Sequence, residues 1–155
     1  MKLIVSILIP LAVGLLSGYL THDGVNGWYV TAAKPVFNPP NWVFAPVWTA
    51  LYISMGIALY LVWKTAAPQQ WKRSAVLVFA IQLALNFCWS FIFFKLEQPG
   101  WALVEIIALW LSIVWMIVAF SRVNPITGWV LAPYLLWVSF AVLLNYNIWE
   151  LNKPL

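Results

Sequence analysis

The tryptophans are the side chains in this sequence that are best suited to form a binding site. The 155-residue sequence contains 12 tryptophans. A preference for membrane–water interfaces accounts for those near the ends of the predicted helices. It does not account for those inside the predicted spans, which are Trp48, Trp89, Trp110, Trp115 and Trp137. Indole stacks on planar π-systems and its N–H donates one hydrogen bond, so these residues point to binding of a flat, apolar molecule.

Other common site chemistries lack the side chains that they need. One histidine, His22, and one cysteine, Cys88, cannot form the first shell of a metal site. A lone His22 at a helix end is more typical of an interfacial polar residue than of a haem ligand. The net charge of +4 includes a single adjacent basic pair, Lys72 and Arg73, which is too little clustering for a nucleic-acid surface. The sequence therefore predicts no metal, no cofactor and no nucleic-acid partner.

The composition places these tryptophans in a membrane protein. Hydrophobic residues make up 65% of the chain, charged residues 8%, and the mean hydropathy is +0.91. Cutting the sequence at its charges leaves five runs long enough for one crossing each. The runs are continuous rather than alternating, which argues against barrel strands. We expect an all-α, polytopic membrane protein, a single domain over residues 1–155, with one bundle of five transmembrane helices near 4–21, 43–64, 72–95, 100–120 and 127–149.

The longest predicted connection, residues 22–42, differs in composition from the other turns. Pro39 and Pro40 prevent helix continuation, and the segment also carries Trp28, Phe37 and Trp42. Long ordered loops in compact proteins are usually functional. We therefore expect this segment to fold onto the bundle as an apolar lid.

The distribution of cations predicts the orientation. Five spans place the termini on opposite sides of the membrane. Three cations fall on the loop side (Lys34, Lys95 and Lys153) and five on the N-terminal side (Lys2, Lys64, Lys72, Arg73 and Arg122). By the positive-inside rule, the N-terminus is predicted to be cytoplasmic.

Aromatic and amide residues on three predicted helices share one depth in the membrane. With a rise of about 1.5 Å per residue, they lie in the half of the bilayer below the long loop. Helical spacing puts them on one face of each helix: Trp48 and Tyr52; Gln82, Asn86, Trp89 and Phe93; Tyr134, Trp137, Ala141 and Asn145. The amides at Gln82, Asn86 and Asn145 should point inward, either as interhelical hydrogen bonds or as part of a pocket. Such a pocket fits a porphyrin or a sterol, and not a sugar or a nucleotide.

The sequence resembles the tryptophan-rich sensory protein / translocator protein family (TspO/MBR, also called the peripheral-type benzodiazepine receptor family) over nearly its whole length. The motifs that carry the resemblance are Trp28-Tyr29, Lys34-Pro35, Asn38-Pro39-Pro40-x-Trp42-Val43-Phe44, Pro46-x-Trp48-Thr49-x-Leu51-Tyr52, Gln82-Leu83-x-x-Asn86-x-x-Trp89, Gly100-Trp101-Ala102-Leu103-Val104-Glu105 and Pro133-Tyr134-x-x-Trp137-x-x-Phe140-Ala141-x-x-x-Asn145. It implies five helices, often a homodimer, and a pocket for porphyrins and for synthetic isoquinoline or benzodiazepine-type ligands. The ligand-binding residues carried over by position are Tyr29, Trp42, Trp48, Tyr52, Asn86, Trp89, Trp137 and Ala141.

Three functions are compatible with the sequence. The first is a receptor or transporter that binds porphyrins in a tryptophan-rich pocket below the first loop. The second is light-dependent degradation of protoporphyrin, in which Trp48 and Trp137 would carry the photochemistry because no catalytic triad, metal set or cofactor motif is present. The third is a channel or assembly partner without a dedicated ligand, against which the density of tryptophan in one leaflet argues.

A sterol ligand is disfavoured at the C-terminal motif proposed for animal members of the family. That pattern allows at most five residues between its tyrosine and the following cation. Here Val142 and Tyr146 have suitable spacing, but the next cation is Lys153, and Glu150 lies where a cation would be needed.

Two further features remain open at the level of sequence. Glu105 is the one charge inside a predicted span; it is either a functional carboxylate or an interfacial one that reaches water or pairs with Lys95, and we expect the second. Gly14-x-x-x-Gly18 permits close helix approach, either in a dimer or within the chain, and Ala80-x-x-x-Ala84 is an alternative dimer face.

Overall fold

The computed structural model describes residues 1–153 and contains five long helices, as predicted. They are α1 (Lys2–Asn26), α3 (Asn41–Lys64), α4 (Gln69–Ser90), α5 (Pro99–Val123) and α6 (Ile126–Asn152), with a one-turn helix α2 (Trp28–Thr31) between the first two. A π-helical turn, Phe91–Lys95, continues α4. Each long helix has the length and hydropathy needed to cross a bilayer. The prediction of an all-α, multi-pass membrane protein is confirmed.

The connection between α1 and α3 is more helical than its composition suggested. The first helix ends at Asn26 rather than near residue 21, and α2 follows after Gly27. The extension is possible because Gly24 is buried against the backbone carbonyl of Phe94. The non-helical part of the connection, which we call the extended segment, is then residues 32–40; it includes a turn at Val36 and Phe37, and its three prolines exclude a helix.

Two close backbone contacts hold α1, one in each half of the helix. In its first half, α1 packs on α3, where Gly56 lies against the backbone of Ser6 and Ile7. In its second half, α1 packs on the π-helical turn through Gly24. Because both contacts depend on a missing side chain, the backbones can approach closely without a large apolar interface. Between these two contacts α1 and the N-terminal half of α3 separate.

The core of the bundle lies among α3, α4, α5 and α6. Its largest fully buried side chains are Tyr134, Phe120, Met55, Leu59, Ile106, Leu109, Ile113, Met116, Leu131 and Ile148. By contrast, only 17% of the most hydropathic window of α1 is buried, compared with 39% for α3, α4 and α5. The first helix is therefore the least embedded wall of the bundle.

Candidate functional site

A cavity of about 580 Å³ opens where α1 and α3 separate. Residues of α1, α2, α3, α4 with its π-helical turn, and α6 line it, whereas α5 contributes none. On α3 the lining positions are Asn41, Phe44, Ala45, Trp48, Thr49 and Tyr52, which follow one broad helical face. The cavity therefore lies in the half of the bundle nearest the 22–42 segment.

Six of the eight ligand-binding positions carried over from the resemblance line this cavity: Tyr29, Trp48, Tyr52, Trp89, Trp137 and Ala141. Asn86 lies behind Tyr52 rather than on the surface, is 1% exposed, and accepts a hydrogen bond of 2.6 Å from the Tyr52 hydroxyl. Trp42 is 75% exposed and does not line the cavity. Trp42 lies at the margin of the lining face, nearly in line with Thr49 seven positions later, and in the first turn of α3, beyond the lining part of that margin.

Aromatic rings of α3 and of α4 with its π-helical turn form one wall of the cavity. The Trp48 ring lies 5.7 Å from that of Tyr52 and 6.3 Å from that of Trp89, between centroids. Trp89 in turn stacks on Phe93 at 5.4 Å. These separations are typical of offset and edge-to-face aromatic pairs. On the other side, Trp137 packs edge-on against Phe44 at 6.0 Å.

Two indole N–H groups on opposite sides of the cavity differ in their hydrogen bonding. Trp89 Nε1 donates to Asn145 Oδ1 at 3.0 Å, and Asn145 Nδ2 donates to the Pro99 carbonyl at 2.7 Å. This arrangement joins α4, α6 and the start of α5. Trp137 Nε1 is buried and has no acceptor within the described residues. The Trp89 ring is thus fixed by a bond that the Trp137 ring does not have.

A second set of hydrogen bonds runs from the cavity into the core, and we call Tyr52, Asn86, Tyr134, Gln82 and Met55 the polar chain. Asn86 Nδ2 donates to the Tyr134 hydroxyl at 3.0 Å, and that hydroxyl donates to Gln82 Oε1 at 3.0 Å. Gln82 Nε2 then approaches Met55 Sδ at 3.9 Å. The buried amides at Gln82, Asn86 and Asn145 therefore make interhelical hydrogen bonds, which was one of the two roles predicted for them from the sequence.

Tyr29 closes the end of the cavity beneath the extended segment. Its side chain is 4% exposed, and its hydroxyl donates to Asn38 Oδ1 at 3.1 Å. Burial raises the pKa of the Tyr29 phenol, with the Asn38 bond acting in the opposite direction. Lys34 Nζ stands 4.6 Å from the centre of the Tyr29 ring and donates to two backbone carbonyls, and burial lowers the pKa of Lys34.

The extended segment is tied to the C-terminal end of α6. The Ala33 amide donates to Asn152 Oδ1 at 2.9 Å, and Asn152 Nδ2 donates back to the Ala33 carbonyl at 2.8 Å. Phe37 packs on Phe140 of α6 with ring centroids 6.4 Å apart. The segment therefore lies against the bundle, and its role as a lid stays a prediction.

A sequence profile of the TspO/MBR family matches residues 6–150. The chain belongs to the TspO/MBR family. It is 45% identical over 142 residues to the "Tryptophan-rich protein TspO" of Chlorobaculum tepidum, covering 92% of this chain and 90% of that one. The TspO of Archaeoglobus fulgidus is 42% identical over 153 residues, with 98% and 97% coverage. The "Translocator protein" of Homo sapiens is 41% identical over 137 residues, with 88% and 80% coverage.

In this member of the TspO/MBR family, α1 supplies cavity residues that the motifs did not indicate. Gly14, Ser17 and Thr21 line the cavity together with Tyr19, His22 and Asn26, and a helix predicted to end at residue 21 separated Tyr19 from the other two, so their common face was missed. Gly14 faces the ring of Tyr52 within the chain, while Gly18 has nothing within 4 Å of the place where a Cβ would be. The close approach at Gly14 is thus intramolecular.

The expectation for Glu105 is not met by the structure. Both of its carboxylate oxygens are buried and have no hydrogen-bond partner among residues 1–153. Lys95, the expected partner, instead lies 3.7 Å from Asp23 at the end of α1. The extension of α1 beyond residue 21 accounts for this, because it brings Asp23 to the end of the π-helical turn that carries Lys95.

The side of the cavity between α1 and α3 is open. On α1, Leu15 is 75% exposed and Tyr19 is 81% exposed, and both line the cavity. Across the gap, Ala45 and Thr49 of α3 are also exposed lining residues. These positions lie in two helices that are long and apolar enough to cross a bilayer, so the opening is lateral, between two spans.

Proposed function

We propose that this protein is a membrane receptor or carrier that binds porphyrin-type tetrapyrroles in the cavity between α1, α3, α4 and α6. The observation that carries the proposal is the cavity itself, with Trp48, Trp89 and Trp137 in its walls. A volume of about 580 Å³ lies in the range of small-molecule sites, which is roughly 300–1,000 Å³. Apolar walls with a few polar groups suit a large, flat, mostly apolar ligand.

The open side of the cavity supports a ligand that reaches the site through the membrane. A flat apolar tetrapyrrole partitions into lipid, and the gap between Leu15 and Thr49 faces that lipid. The names of the relatives agree with a role in moving or sensing a molecule: "Translocator protein" in Homo sapiens and "Tryptophan-rich sensory protein" in Cereibacter sphaeroides. A homodimer and a cytoplasmic N-terminus belong to the same proposal.

Titration of the purified protein with protoporphyrin tests the proposal. We expect saturable quenching of tryptophan fluorescence, with affinity measured in parallel from the porphyrin absorption band. Trp48→Ala should weaken binding by about 0.5–1.5 kcal/mol beyond the loss of contact area, because ring stacking is removed. Trp129→Ala is the matched control, since Trp129 is 83% exposed on α6 and lies outside the cavity. Equal effects of the two substitutions would place the site elsewhere.

Light-dependent degradation of the bound porphyrin is a second candidate. Trp48 and Trp137 line the same cavity from different helices, so an oxidisable indole would lie on two sides of a bound ring. Under illumination in air, loss of porphyrin should then exceed the loss with free tryptophan and should saturate with ligand. Trp48→Phe and Trp137→Phe should bind porphyrin but lose the photoproduct. Equal bleaching in all samples would exclude this activity.

A further inference from the structure

Each hydrogen bond of the polar chain is donated in the direction away from the cavity, and Met55 sets this direction. A thioether sulfur can accept a hydrogen bond but has no hydrogen to donate. Gln82 must therefore turn its NH₂ group toward Met55 Sδ, at 3.9 Å, which leaves Oε1 for Tyr134. A reversed amide would put Oε1 against Met55 Sδ, two acceptors facing each other, whereas at the other end the Tyr134 hydroxyl could pair with either orientation by rotating; the Met55 contact is therefore what sets the direction.

The orientation of Gln82 then fixes each group back to the cavity. The Tyr134 hydroxyl donates its one hydrogen to Gln82 Oε1, so toward Asn86 it can only accept, and it does so from Asn86 Nδ2. Asn86 consequently presents Oδ1 to Tyr52, whose hydroxyl donates to it at 2.6 Å. Tyr134, Gln82 and Asn86 are each 0–1% exposed, so no water competes for these bonds. Tyr52 is the member of the polar chain that lines the cavity.

We infer that the polar chain makes the Tyr52 oxygen a hydrogen-bond acceptor toward the cavity. The site would therefore select tetrapyrroles that carry an O–H or N–H donor on the edge nearest Tyr52. Gln82 and Met55 act as specificity-determining residues although neither lines the cavity. The inference rests on the proposed function for the identity of the ligand, but the direction of the polar chain is a property of the protein alone.

Two porphyrins with the same skeleton test the selection. Haematoporphyrin carries hydroxyethyl groups, which donate, where diacetyldeuteroporphyrin carries acetyl groups, which only accept. The wild type should bind haematoporphyrin about 3- to 10-fold more tightly, the range of one net hydrogen bond. An equal or reversed affinity would overturn the inference.

Gln82→Leu is expected to reverse this preference from a distance. Without Gln82, the Tyr134 hydroxyl can keep its hydrogen bonded only by donating to Asn86 Oδ1. The Asn86 amide then turns and donates to the Tyr52 oxygen, which frees the Tyr52 hydrogen for the cavity. The affinity ratio should shift toward the acetyl compound. Ser112→Ala is the control, because Ser112 is buried on α5 and bonds only to the Leu109 carbonyl of its own helix.

Met55→Leu provides a milder variant of nearly equal volume. It removes the acceptor that orients Gln82 without a large change in packing. The ratio of the two porphyrin affinities should therefore approach 1. An unchanged ratio in both Gln82→Leu and Met55→Leu would overturn the role of these residues.

A vibrational measurement tests the direction without any ligand. The intensity ratio of the tyrosine Fermi doublet in resonance Raman spectra separates a phenol that donates from one that accepts. The difference spectrum between the wild type and Tyr52→Phe isolates the Tyr52 doublet, which should have the ratio of a donating phenol. The same difference spectrum in the Gln82→Leu background should have the ratio of an accepting phenol. An accepting Tyr52 in the wild type would refute the inference. Failure of both porphyrins to bind saturably would refute the proposed function instead, and the Raman spectra would still decide the direction of the polar chain.

Discussion

Replacing Trp89 with phenylalanine should destabilise the protein more than the same replacement at Trp137. Both indoles lie in the cavity wall, but only Trp89 Nε1 has an acceptor, Asn145 Oδ1 at 3.0 Å. Hydrogen bonds between helices in membranes average about 0.6 kcal/mol and reach about 1.7 kcal/mol. Asn145 is 1% exposed, so its orphaned oxygen would add a desolvation penalty of about 1 kcal/mol or more. We expect Trp89→Phe to lower the free energy of unfolding by about 1–2 kcal/mol through this bond.

Trp137→Phe is the matched control, because it removes the same atoms without breaking a hydrogen bond. The free energies can be measured by reversible unfolding in mixed micelles with increasing SDS, followed by circular dichroism. A double-mutant cycle with Asn145→Leu separates the bond from the change in ring size, and the coupling energy should be about 0.5–1.7 kcal/mol. Equal losses for Trp89→Phe and Trp137→Phe, together with a coupling energy near zero, would refute the reasoning.

Three further predictions address the helix contacts and the mouth of the cavity. Gly24→Ala should destabilise the protein because the new Cβ would collide with the Phe94 carbonyl, whereas Gly18→Ala, with open space around it, should be neutral or stabilising by up to about 1 kcal/mol; SDS unfolding of the two variants checks this. Burial raises the pKa of Tyr29, so the folded state keeps a proton that the unfolded chain loses, and stability should fall as pH rises past about 10. Tyr29→Phe should show a shallower fall in the same pH titration, and an identical curve would contradict the assignment. Amide exchange in residues 25–40 should slow when protoporphyrin saturates the protein while residues 106–116 of α5 remain unchanged; exchange that does not respond would remove the lid from the mechanism.

Much of the site could be predicted from sequence because depth and helical face are properties of a single helix. Trp48 and Tyr52 lie on one face of α3, and Trp89 lies at the matching depth on α4, so their meeting in one wall follows from span lengths alone. Trp42 shows the limit of carrying residues over by position. Its place in a shared motif suggested a ligand contact, but its side chain is exposed in the first turn of α3 and does not line the cavity.

The contribution of α1 could not be predicted, because it depends on contacts between helices rather than on the residues of α1. The contact at Gly24 is with a backbone carbonyl of the π-helical turn, and that turn has no signal in the apolar run from residue 74 to residue 94. The environment of Glu105 has the same origin. Lys95 and Glu105 are close enough in sequence for pairing to be reasonable, but the additional turns of α1 bring Asp23 to Lys95.

The weak attachment of α1 has a consequence for how a cavity of this size persists in a membrane protein. The buried residues of α1 are Ser6, Pro10, Ser17, Thr21 and Gly24, none of which is a large apolar side chain. The helix is therefore held by close backbone contacts in its two halves and by limited packing between them, where Gly14 lies against the Tyr52 ring. A ligand between α1 and α3 would add apolar contacts where the protein has few, so binding should stabilise α1 more than any other helix. The walls formed by α4 and α6 would change little, since the Trp89–Asn145 bond and the polar chain already hold them.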